Sequence, residues 1–496
     1  MMIMGKSNDI SKIFEVVLAF NNAMRYEELL NTILINMMEI TSSDAGTLYI
    51  LEDDMLHFRI IKNKTLGIFQ SVDETNDLPP VVLDRENIQN VCAYTAIKNE
   101  LVVIDDVYTS ERFNFQGPRN YDKITGYRTR SMLTLPLSTF RNDAWDVLGV
   151  IQLLNATDEA SGEFISYGNM DEQPVIPALA NVAANTLSNL FHIQEIRKVF
   201  NSFVSAMVRT IDERSKYNSN HTHKVAALCD LFGKHLGKIY PEGHPFHFGE
   251  RRLEELTMAA MLHDIGKIVT PIHIMDKADR LGERLPIVQN KFIMNELVLE
   301  NNMLKEQISK EDYNAQKTRL DAAFALVGKV NALGFLPDDL AEQVLALADL
   351  AFVDKNGETV RLLDDGDIAS LSVRKGTLTD AERLIMQEHA NTTGRILSNI
   401  AFKKYYKNVT AWAQSHHEFL DGTGYPQGLA GDELATEVLI ITIMDIFEAL
   451  TAGDRPYKKA MPPERAFGIL NEMAEEGKLH ADLVRLFQDS GIWMQL

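Results

Sequence analysis

Seven potential metal ligands in the second half of the chain constrain its fold more than any other feature. They occupy four short clusters and one upstream position: His221, His263, Asp264, His389, His416, His417 and Asp445. One metal ion usually takes three or four protein ligands, so this set suits two ions that share a carboxylate. Imidazole and carboxylate ligands favour Fe or Mn, with Zn, Ni and Mg left open. Paired ions of this kind activate water against phosphate esters, provided that the fold brings the ligands together.

The pair His263-Asp264 follows the apolar run M-A-A-M-L, which predicts a position near the end of a buried helix. A neutral imidazole binds one metal, and the aspartate can bridge to a second. Lys267 comes one helical turn later and is expected to face the same cleft. There it would contact a phosphate oxygen or assist the leaving group, so Asp264 and Lys267 are the catalytic candidates.

The remaining clusters are also predicted to lie on helices. His389 is predicted to open the helical stretch E-H-A-N-T-T-G-R-I-L. His416 and His417 would lie about 100° apart around a helix, so both can reach a wide cavity for two metals. Asp445 lies in the apolar stretch I-I-T-I-M-D-I-F-E-A-L, where a carboxylate is costly to bury unless it is paired or metal-bound.

Charge and composition exclude several classes of protein. The formal net charge is −21 and no long Lys/Arg run occurs, which argues against a nucleic-acid partner. An anionic substrate must then be drawn by local positive charge. The two cysteines, Cys92 and Cys229, form no C-x-x-C pair, so a disulfide framework is not expected. The polar start of the chain and the lack of an apolar run of about 18 residues predict no signal peptide, no membrane span and a cytoplasmic location.

The chain of 496 residues predicts two or three domains. Residues 10–190 alternate short strand patterns with helices and are predicted to form an α/β domain, in which the irregular stretch 66–90 can line a pocket. An unbroken apolar periodicity at 177–210 predicts a connecting helix, either the seam of a homodimer or an ordinary packed helix. Residues 205–496 are nearly all helical in pattern. Within them, 281–376 is predicted to be a mostly helical insertion with a hairpin turn at Asn356-Gly357.

The second half of the chain resembles the HD-GYP phosphohydrolases, a branch of the HD superfamily, over roughly 205–280 and 376–475. The segments that carry the resemblance are H-D-I-G-K at 263–267, H-H-E-F-L-D-G-T-G-Y-P at 416–426 and D-I-F-E-A-L-T-A-G-D-R-P-Y-K-K-A at 445–460. The resemblance implies that the seven residues bind metals, with His221 as the upstream ligand. It also implies hydrolysis of a cyclic dinucleotide, chiefly cyclic di-GMP, to pGpG and in some members on to GMP.

One departure from the HD-GYP pattern bears on the number of metals. Members with three metals carry a glutamate four residues before the upstream histidine, where this chain has Tyr217 followed by Asn218. This favours two ions over three, with Glu213 as a weaker substitute ligand.

Five residues are candidates for binding the substrate: Lys267, Tyr425, Arg455, Lys458 and Lys459. Arg455 offers a planar fork that suits a phosphodiester. The alternative for the lysine pair is a solvated helix start. Tyr425 either contacts a guanine base or caps the turn.

Residues 10–190 resemble a GAF module of the cyclic-nucleotide phosphodiesterase and cyclase type. The resemblance rests on F-N-F-Q-G-P-R-N-Y-D-K-I-T-G-Y-R-T-R-S-M-L-T-L-P-L at 113–137 and V-L-G-V-I-Q-L-L-N at 147–155. It places Asp122 and Asn155 among the candidates for a ligand pocket. The signature lysine is replaced by Ala156, and the spacing from Phe164 to Asp171-Glu172 is longer than usual. The module would bind a small ligand or cyclic nucleotide, or serve as a dimerisation platform.

The sequence therefore predicts a multidomain protein in which a GAF sensor domain is joined by a long helix to an all-α HD-GYP domain. The leading hypothesis is a metal-dependent cyclic di-GMP phosphodiesterase that the GAF domain regulates, acting as a homodimer. One alternative keeps the site and changes the substrate, to cyclic GMP-AMP or a linear nucleotide. Another is a non-catalytic receptor that binds a cyclic dinucleotide and signals through partner contacts.

Overall fold

The computed structural model divides the chain into two compact units, Met1–Val199 and Phe200–Leu496. It describes residues 14–20, 25–71, 78–84, 86–141, 143–158, 161, 163–167, 175–214, 220–354, 356–453 and 460–495. Among the helices of these ranges, none combines the length and the low polarity that crossing a membrane requires.

The first unit is built on one antiparallel sheet of seven strands. The strands are β1 (Ser43–Glu52), β2 (Met55–Asn63), β3 (Ile68–Ser71), β4 (Val81–Val82), β5 (Val102–Ile104), β6 (Met132–Arg141) and β7 (Ala144–Ala156). Their order is β3-β2-β1-β7-β6-β5, with β4 paired to β2. The tight turn between β1 and β2 contains Asp53 and Asp54, both with positive φ. The α/β prediction for this region is confirmed.

Helices cover both faces of the sheet. On one face, α1 (Tyr26–Ile40) and the start of α4 (Val175–Asp212) pack their apolar side chains against β1, β6 and β7. On the other face lie α2 (Val91–Lys98) and α3 (Gln116–Thr125). Tyr49, Leu56, Cys92 and Val150 form a small apolar cluster between α2 and the sheet. A cavity of 320 Å³ adjoins this cluster, and Leu78, Val81 and Asn90 help to line it, as predicted for the irregular stretch 66–90.

The predicted connecting helix is present as α4, which spans 38 residues. It is helical from Val175 to Asp212 because no Gly interrupts the stretch and its one proline, Pro177, falls in the first turn, where no helical hydrogen bond is lost. Its early apolar side chains belong to the core of the first unit. Val204, Val208 and Ile211, near its end, belong to the core of the second unit.

The second unit is helical, as predicted. Its helices outside the predicted insertion are α5 (His221–Ile239), α6 (Glu250–Leu262), α7 (Ile272–Met275), α12 (Asp380–Leu397), α13 (Val409–Gln414), α14 (Thr436–Thr451), α15 (Pro463–Glu475) and α16 (Ala481–Ser490). One hydrophobic core joins α5, α6, α13, α14, α15 and α16. The central helix α14 is buried over most of its length, which fixes the position of any polar side chain that it carries.

The predicted insertion, 281–376, has a hydrophobic core of its own. It contains α8 (Leu285–Leu304), α9 (Lys310–Asn331), α10 (Asp338–Ala346), the hairpin β8 (Ala351–Val353) and β9 (Thr359–Arg361), and α11 (Asp365–Leu371). The hairpin is confirmed, with Gly357 at positive φ in its turn. Helix α10 ends at Ala346 and a 3-10 turn follows at Leu347–Asp349, after which Phe352 pairs with Val360 across the hairpin.

Candidate metal centre

Buried histidines and carboxylates from separate helices of the second unit meet around one small volume. Two groups of three side chains each bring their ligand atoms within 4.8 Å of one another. One group is His221, His263 and Asp445, and the other is His389, His416 and His417. The structure thus brings all seven predicted ligands together, since Asp264 lies between the two groups.

Asp264 faces both groups, one with each carboxylate oxygen. Its Oδ2 lies 3.2 Å from His263 Nε2 and 3.6 Å from His221 Nε2. Its Oδ1 lies 3.4 Å from His389 Nε2 and 3.8 Å from His416 Nε2. This is the placement that a carboxylate shared by two cations requires.

Asp445 completes the first group from the buried helix α14. Its Oδ1 lies 3.0 Å from His221 Nε2 and 4.0 Å from His263 Nε2, while its Oδ2 lies 3.8 Å from His417 Nδ1. A carboxylate at this depth is costly unless it is paired. Here the pairing is supplied by imidazoles from three different parts of the chain.

Backbone carbonyls fix the orientation of three histidines. The Nδ1 atoms of His263, His389 and His416 lie 2.6, 2.6 and 2.7 Å from the carbonyl oxygens of Ala260, Met386 and Ala413, respectively. A carbonyl can only accept, so each Nδ1 donates its proton, and in the neutral ring that binds a metal the Nε2 holds the lone pair. All three lone pairs are directed towards Asp264, as metal binding through Nε2 requires.

His221 is held differently from the other ligands. Its Nδ1 lies 2.5 Å from Oε2 of Glu448, a buried carboxylate one turn after Asp445 on α14. The other oxygen of Glu448 lies 3.4 Å from Lys224 Nζ. Glu448 is not among the residues predicted from the sequence, although its three-residue spacing from Asp445 places both acids on the same face of a helix.

Two buried atoms of the site have no hydrogen bond among the described residues, namely His263 Nε2 and Asp264 Oδ1. Leaving such atoms without a partner costs about 1–3 kcal/mol each, so most buried polar groups are satisfied. A cation bound at the centre would satisfy both. The residues present therefore fit divalent metal ions by donor type, number and orientation.

Electrostatics divides the histidines into two sets. Burial lowers the pKa of His389, of His416 and of His417, the last to about 3, so these three are neutral lone-pair donors. Burial also acts to lower the pKa of His221 and that of His263, but carboxylates outweigh it. Contacts with Asp445 and Glu448 raise the pKa of His221 to about 10, and Asp264 raises the pKa of His263. The first group therefore attracts positive charge, which a divalent cation can supply in place of protons.

Lys267 reaches the centre, as predicted. Its Nζ lies 2.5 Å from Asp264 Oδ2, and its side chain is 17% exposed. Arg214, which the sequence analysis did not select, donates through NH1 to the carbonyl of Lys267 (2.9 Å) and through NH2 to that of Thr270 (3.2 Å). It thereby anchors the segment that carries Lys267.

Close backbone approaches explain the glycine in H-D-I-G-K. A Cβ on Gly266 would lie 1.9 Å from the carbonyl oxygen of His389, so only glycine lets this turn contact α12. Thr393 then joins the two segments, because its hydroxyl donates to the His263 carbonyl and accepts from the Gly266 amide. The motif therefore fixes the distance between Asp264 and His389.

The loop that contains Tyr425 borders the open side of the centre. Tyr425 packs against the His417 ring with centroids 4.7 Å apart, and the His417 side chain is 24% exposed. Glu418, which sequence analysis also missed, is fully buried and accepts from the amides of Gln427, Gly428 and Leu429. Three charge-assisted bonds hold the loop in place. Arg455, Lys458 and Lys459 lie outside the described residues, as do Tyr217 and Asn218.

Two local predictions are corrected by the structure. His389 does not open a helix, because α12 begins at Asp380 behind a capping box formed by Thr379 and Glu382. His416 and His417 are not on a helix, because α13 ends at Gln414 and both histidines follow in a turn. The turn lets both rings reach the centre without the 100° separation that a helix would impose.

Glu213 and its neighbour Asp212 differ in burial. Glu213, the substitute ligand suggested by the sequence, is exposed. Asp212 is buried, accepts from the Thr222 hydroxyl at 3.2 Å, and burial raises its pKa to about 6.

In the first unit, Asp122 and Asn155 make structural hydrogen bonds rather than lining the 320 Å³ cavity. Asp122 accepts from the Tyr108 hydroxyl and from both the amide and hydroxyl of Thr129. Asn155, at φ 54°, accepts from the amides of Arg130 and Ser131 and donates to the Tyr127 hydroxyl and the Arg128 carbonyl. The cavity lies beside them and is lined by neighbours such as Tyr121, Thr129 and Leu154.

The fold and the site define a protein with an α/β domain followed by a helical domain that carries a histidine-rich metal centre. Residues 25–187 match the GAF domain family. Residues 218–350 and 363–483 match two family models that are both described as HD domain. The chain is thus a GAF domain followed by an HD domain, and the family prediction made from the sequence is confirmed.

Curated relatives match segments of this chain. Over 112 residues the chain is 43% identical to the 3'3'-cGAMP-specific phosphodiesterase 3 of Vibrio cholerae, covering 21% of this chain and 24% of that protein. Over 121 residues it is 35% identical to the cyclic di-GMP phosphodiesterase response regulator RpfG of Xanthomonas campestris, covering 24% and 31%. Over 152 residues it is 32% identical to a cyclic di-GMP phosphodiesterase of Thermotoga maritima, covering 30% and 40%. The chain therefore spans between about a quarter and two fifths of these relatives.

Proposed function

We propose that this chain hydrolyses a phosphodiester bond of a cyclic dinucleotide, with cyclic di-GMP as the substrate and pGpG as the product. One observation carries the proposal. Asp264 directs one carboxylate oxygen to each of two groups of histidine ligands, at 3.2–3.8 Å. An acid placed between two such groups suits a pair of divalent ions, and we propose Fe or Mn because the donors combine imidazoles with carboxylates.

Each group of side chains has a distinct part in holding the ions. His221, His263 and Asp445 would hold one ion, His389, His416 and His417 the other, and Asp264 would touch both. When bound, such ions lower the pKa of water and neutralise charge on phosphate. The chain's own contribution is orientation, because carbonyls and Glu448 fix the imidazoles before any ion arrives.

Lys267 is proposed to contact the substrate phosphate. Its ammonium group is held beside Asp264 and is partly open to the cleft, which places positive charge where an anion must approach. Tyr425, packed on the most open histidine ligand, is proposed to contact a base. Arg455, Lys458 and Lys459 follow α14 closely in sequence, which supports a role for them in binding phosphate.

A second substrate is favoured by a specific observation. Among the relatives described above, the one with the highest identity, at 43%, carries the name of a 3'3'-cGAMP-specific phosphodiesterase. The same centre would cut either compound, since the phosphodiester linkage is shared and only one base differs. Cyclic GMP-AMP is therefore the alternative substrate.

We further propose that the GAF domain regulates hydrolysis and that α4 is the seam of a homodimer. Four large apolar side chains on α4 are exposed and recur at steps of three and four residues: Ile193, Ile196, Val199 and Phe203. Such a stripe is typical of a helix that pairs with a second copy. A strict monomer by light scattering, both with and without a GAF ligand, would contradict this part of the proposal.

The experiment that tests the proposed activity uses full-length protein reloaded with Fe(II) or Mn(II) under reducing, anaerobic conditions. Cyclic di-GMP, 3'3'-cGAMP and cyclic di-AMP are supplied side by side, and products are identified by chromatography together with metal content. We expect pGpG from cyclic di-GMP, none from an Asp264→Ala variant, and full activity in Asp489→Ala, which changes an exposed acid on α16. A metal-loaded chain that makes no more pGpG than Asp264→Ala would sink the proposal. Near-zero metal content with retained nucleotide binding would favour a non-catalytic receptor instead.

A further inference from the structure

A second cavity, of 340 Å³, opens beside the metal centre. Six residues line it: Val269, Thr270, Leu384, Ile385, Glu388 and His389. Three of these are apolar and unusually exposed, with Val269 at 60%, Leu384 at 67% and Ile385 at 45%. Exposed apolar side chains that cluster around a concave site mark a place where a ligand or partner binds.

The cavity and the metal centre share one residue, the buried His389. The Nε2 of this histidine lies 3.4 Å from Asp264, while the residue also forms part of the cavity wall. Leu384 and Ile385 belong to the same helix, α12, five and four residues before His389, and Glu388 directly precedes His389. The opposite wall is anchored, since Arg214 binds the Thr270 carbonyl. A molecule in this cavity would therefore lie next to one bound at the metals.

The lining sets the chemical class of the occupant. Two aliphatic walls favour a flat, weakly polar ring, and the volume lies at the lower end of the roughly 300–1,000 Å³ typical of small-molecule sites. Glu388 supplies the carboxylate of the lining, and a carboxylate can only accept hydrogen bonds. Guanine presents adjacent N–H donors on its Watson–Crick edge, whereas adenine presents a ring acceptor there.

The Glu388 carboxylate is half exposed and makes two contacts along α12. Its Oε2 accepts from Asn391 Nδ2 at 2.9 Å, and its Oε1 lies 3.6 Å from Arg395 NH2. A carboxylate has about four acceptor positions in all, so these contacts leave capacity for two further donors.

We propose that this cavity is a base subsite of the metal centre, that it takes a guanine base, and that Glu388 selects guanine over adenine. The aliphatic walls pack on the faces of the base, and Glu388 accepts from its two N–H groups. The inference rests on the proposed function for the identity of the whole substrate, but the subsite itself can be tested with mononucleotides.

The test is isothermal titration of GMP and AMP into the metal-loaded, full-length chain. We expect the wild type to bind GMP about tenfold more tightly than AMP, the scale of a good bidentate contact to a base. Glu388→Gln should abolish the preference, because the amide can donate to adenine as well as accept from guanine. Leu384→Ser should weaken both nucleotides several-fold and keep their ratio. Glu475→Gln, an exposed acid on α15 outside the cavity, is the matched control and should bind as the wild type does.

Several outcomes would overturn the subsite. Equal or absent binding of GMP and AMP by the wild type is one, and an unchanged preference in Glu388→Gln is another. Loss of a dimer in Leu384→Ser with unaltered GMP affinity would assign the apolar walls to a second copy of the chain. The same experiments distinguish failure of the subsite from failure of the proposed function. A preference for GMP without any turnover of cyclic di-GMP supports the subsite and contradicts the activity. Turnover of cyclic di-GMP without a preference for GMP supports the activity and contradicts the subsite.

Discussion

The metal centre of the HD domain and the cavity of the GAF domain differ in whether their polar side chains have hydrogen-bond partners within the protein. At the centre, the structure holds seven ligand side chains in place yet leaves His263 Nε2 and Asp264 Oδ1 without hydrogen bonds. In the GAF cavity, amide side chains are bound to nearby backbone: Asn90 accepts from the amides of Cys92 and Ala93, and Asn63 accepts from that of Leu66. Burial even keeps the Cys92 thiol neutral by raising its pKa to about 12. The metal centre therefore has polar atoms free to bind a cation, whereas the amide side chains of the GAF cavity already have hydrogen-bond partners.

Metal loading gives the largest expected contrast between the two regions. A ligand at a thousand times its Kd stabilises the folded state by about 4 kcal/mol if it binds only that state. We expect hydrogen exchange by mass spectrometry to show this protection in α5, α12 and α14 when Mn(II) is added to metal-free protein. The strands β1, β6 and β7 of the GAF domain should not change. Equal protection of both regions would contradict the assignment of the ions to the HD domain.

Glu418→Ala should have the next largest effect. Removing this buried acceptor leaves three backbone amides unsatisfied and should lower the free energy of unfolding of the HD domain by about 3 kcal/mol. Urea unfolding measures the loss of stability, and hydrogen exchange of the amides of 427–429 measures how far the loop itself has loosened. Glu476→Ala, an exposed acid whose side chain only meets Lys478, serves as the control and should be nearly neutral. An unaltered midpoint in Glu418→Ala would show that the loop is held by other contacts.

Asn155→Ala tests the GAF side of the comparison. The variant loses an acceptor for two amides and leaves alanine at φ 54°, so the GAF domain should lose about 2 kcal/mol. Metal content of the same variant, measured by elemental analysis, should equal that of the wild type. A drop in metal content with no loss of stability would mean that Asn155 acts elsewhere than in its own domain.

Glu448→Gln is the subtlest prediction. The amide keeps the shape of the side chain but weakens the hold on His221 Nδ1, which should lower metal affinity about tenfold, as loss of a partner behind a ligand typically does. Competition with a chelator measures the affinity directly. Lys224→Met removes the 3.4 Å contact to Glu448 but spares its bond to His221, so its affinity should change much less. Equal affinities in the wild type and Glu448→Gln would remove Glu448 from the metal centre.

The ligand set could be predicted from the sequence because each ligand stands in a short, distinctive segment. The orientation of the ligands could not. The helix before His389 was missed although T-D-A-E at 379–382 is a recognisable capping box, and the end of α13 before His416 has no Gly or Pro to mark it. Glu418 and Glu448 were not predicted to belong to the site, because an acid in a helical or loop pattern is taken to be solvent-exposed until its hydrogen-bond partners are known. Those partners, the amides of 427–429 and the imidazole of His221, are set by tertiary packing.

The prediction for the GAF domain was likewise right about the elements of the fold and wrong about the roles of individual polar residues. The strands followed directly from the apolar alternation, and the pocket in 66–90 was anticipated. Asp122 and Asn155, however, turned out to secure the segment 127–131 rather than to line the cavity. A polar residue in a strand-rich domain can line a ligand pocket, or it can hydrogen-bond two backbone segments to each other. Only the residues that surround it in the folded structure decide between these two roles.

The grip of Arg214 has a mechanical consequence. Its guanidinium group binds the carbonyls of Lys267 and Thr270, so it links the chain just beyond the end of α4 to the segment that carries both residues. Under the proposed function, a displacement of that helix end would be passed by this one side chain to the Lys267 ammonium group and to the cavity wall that faces Glu388.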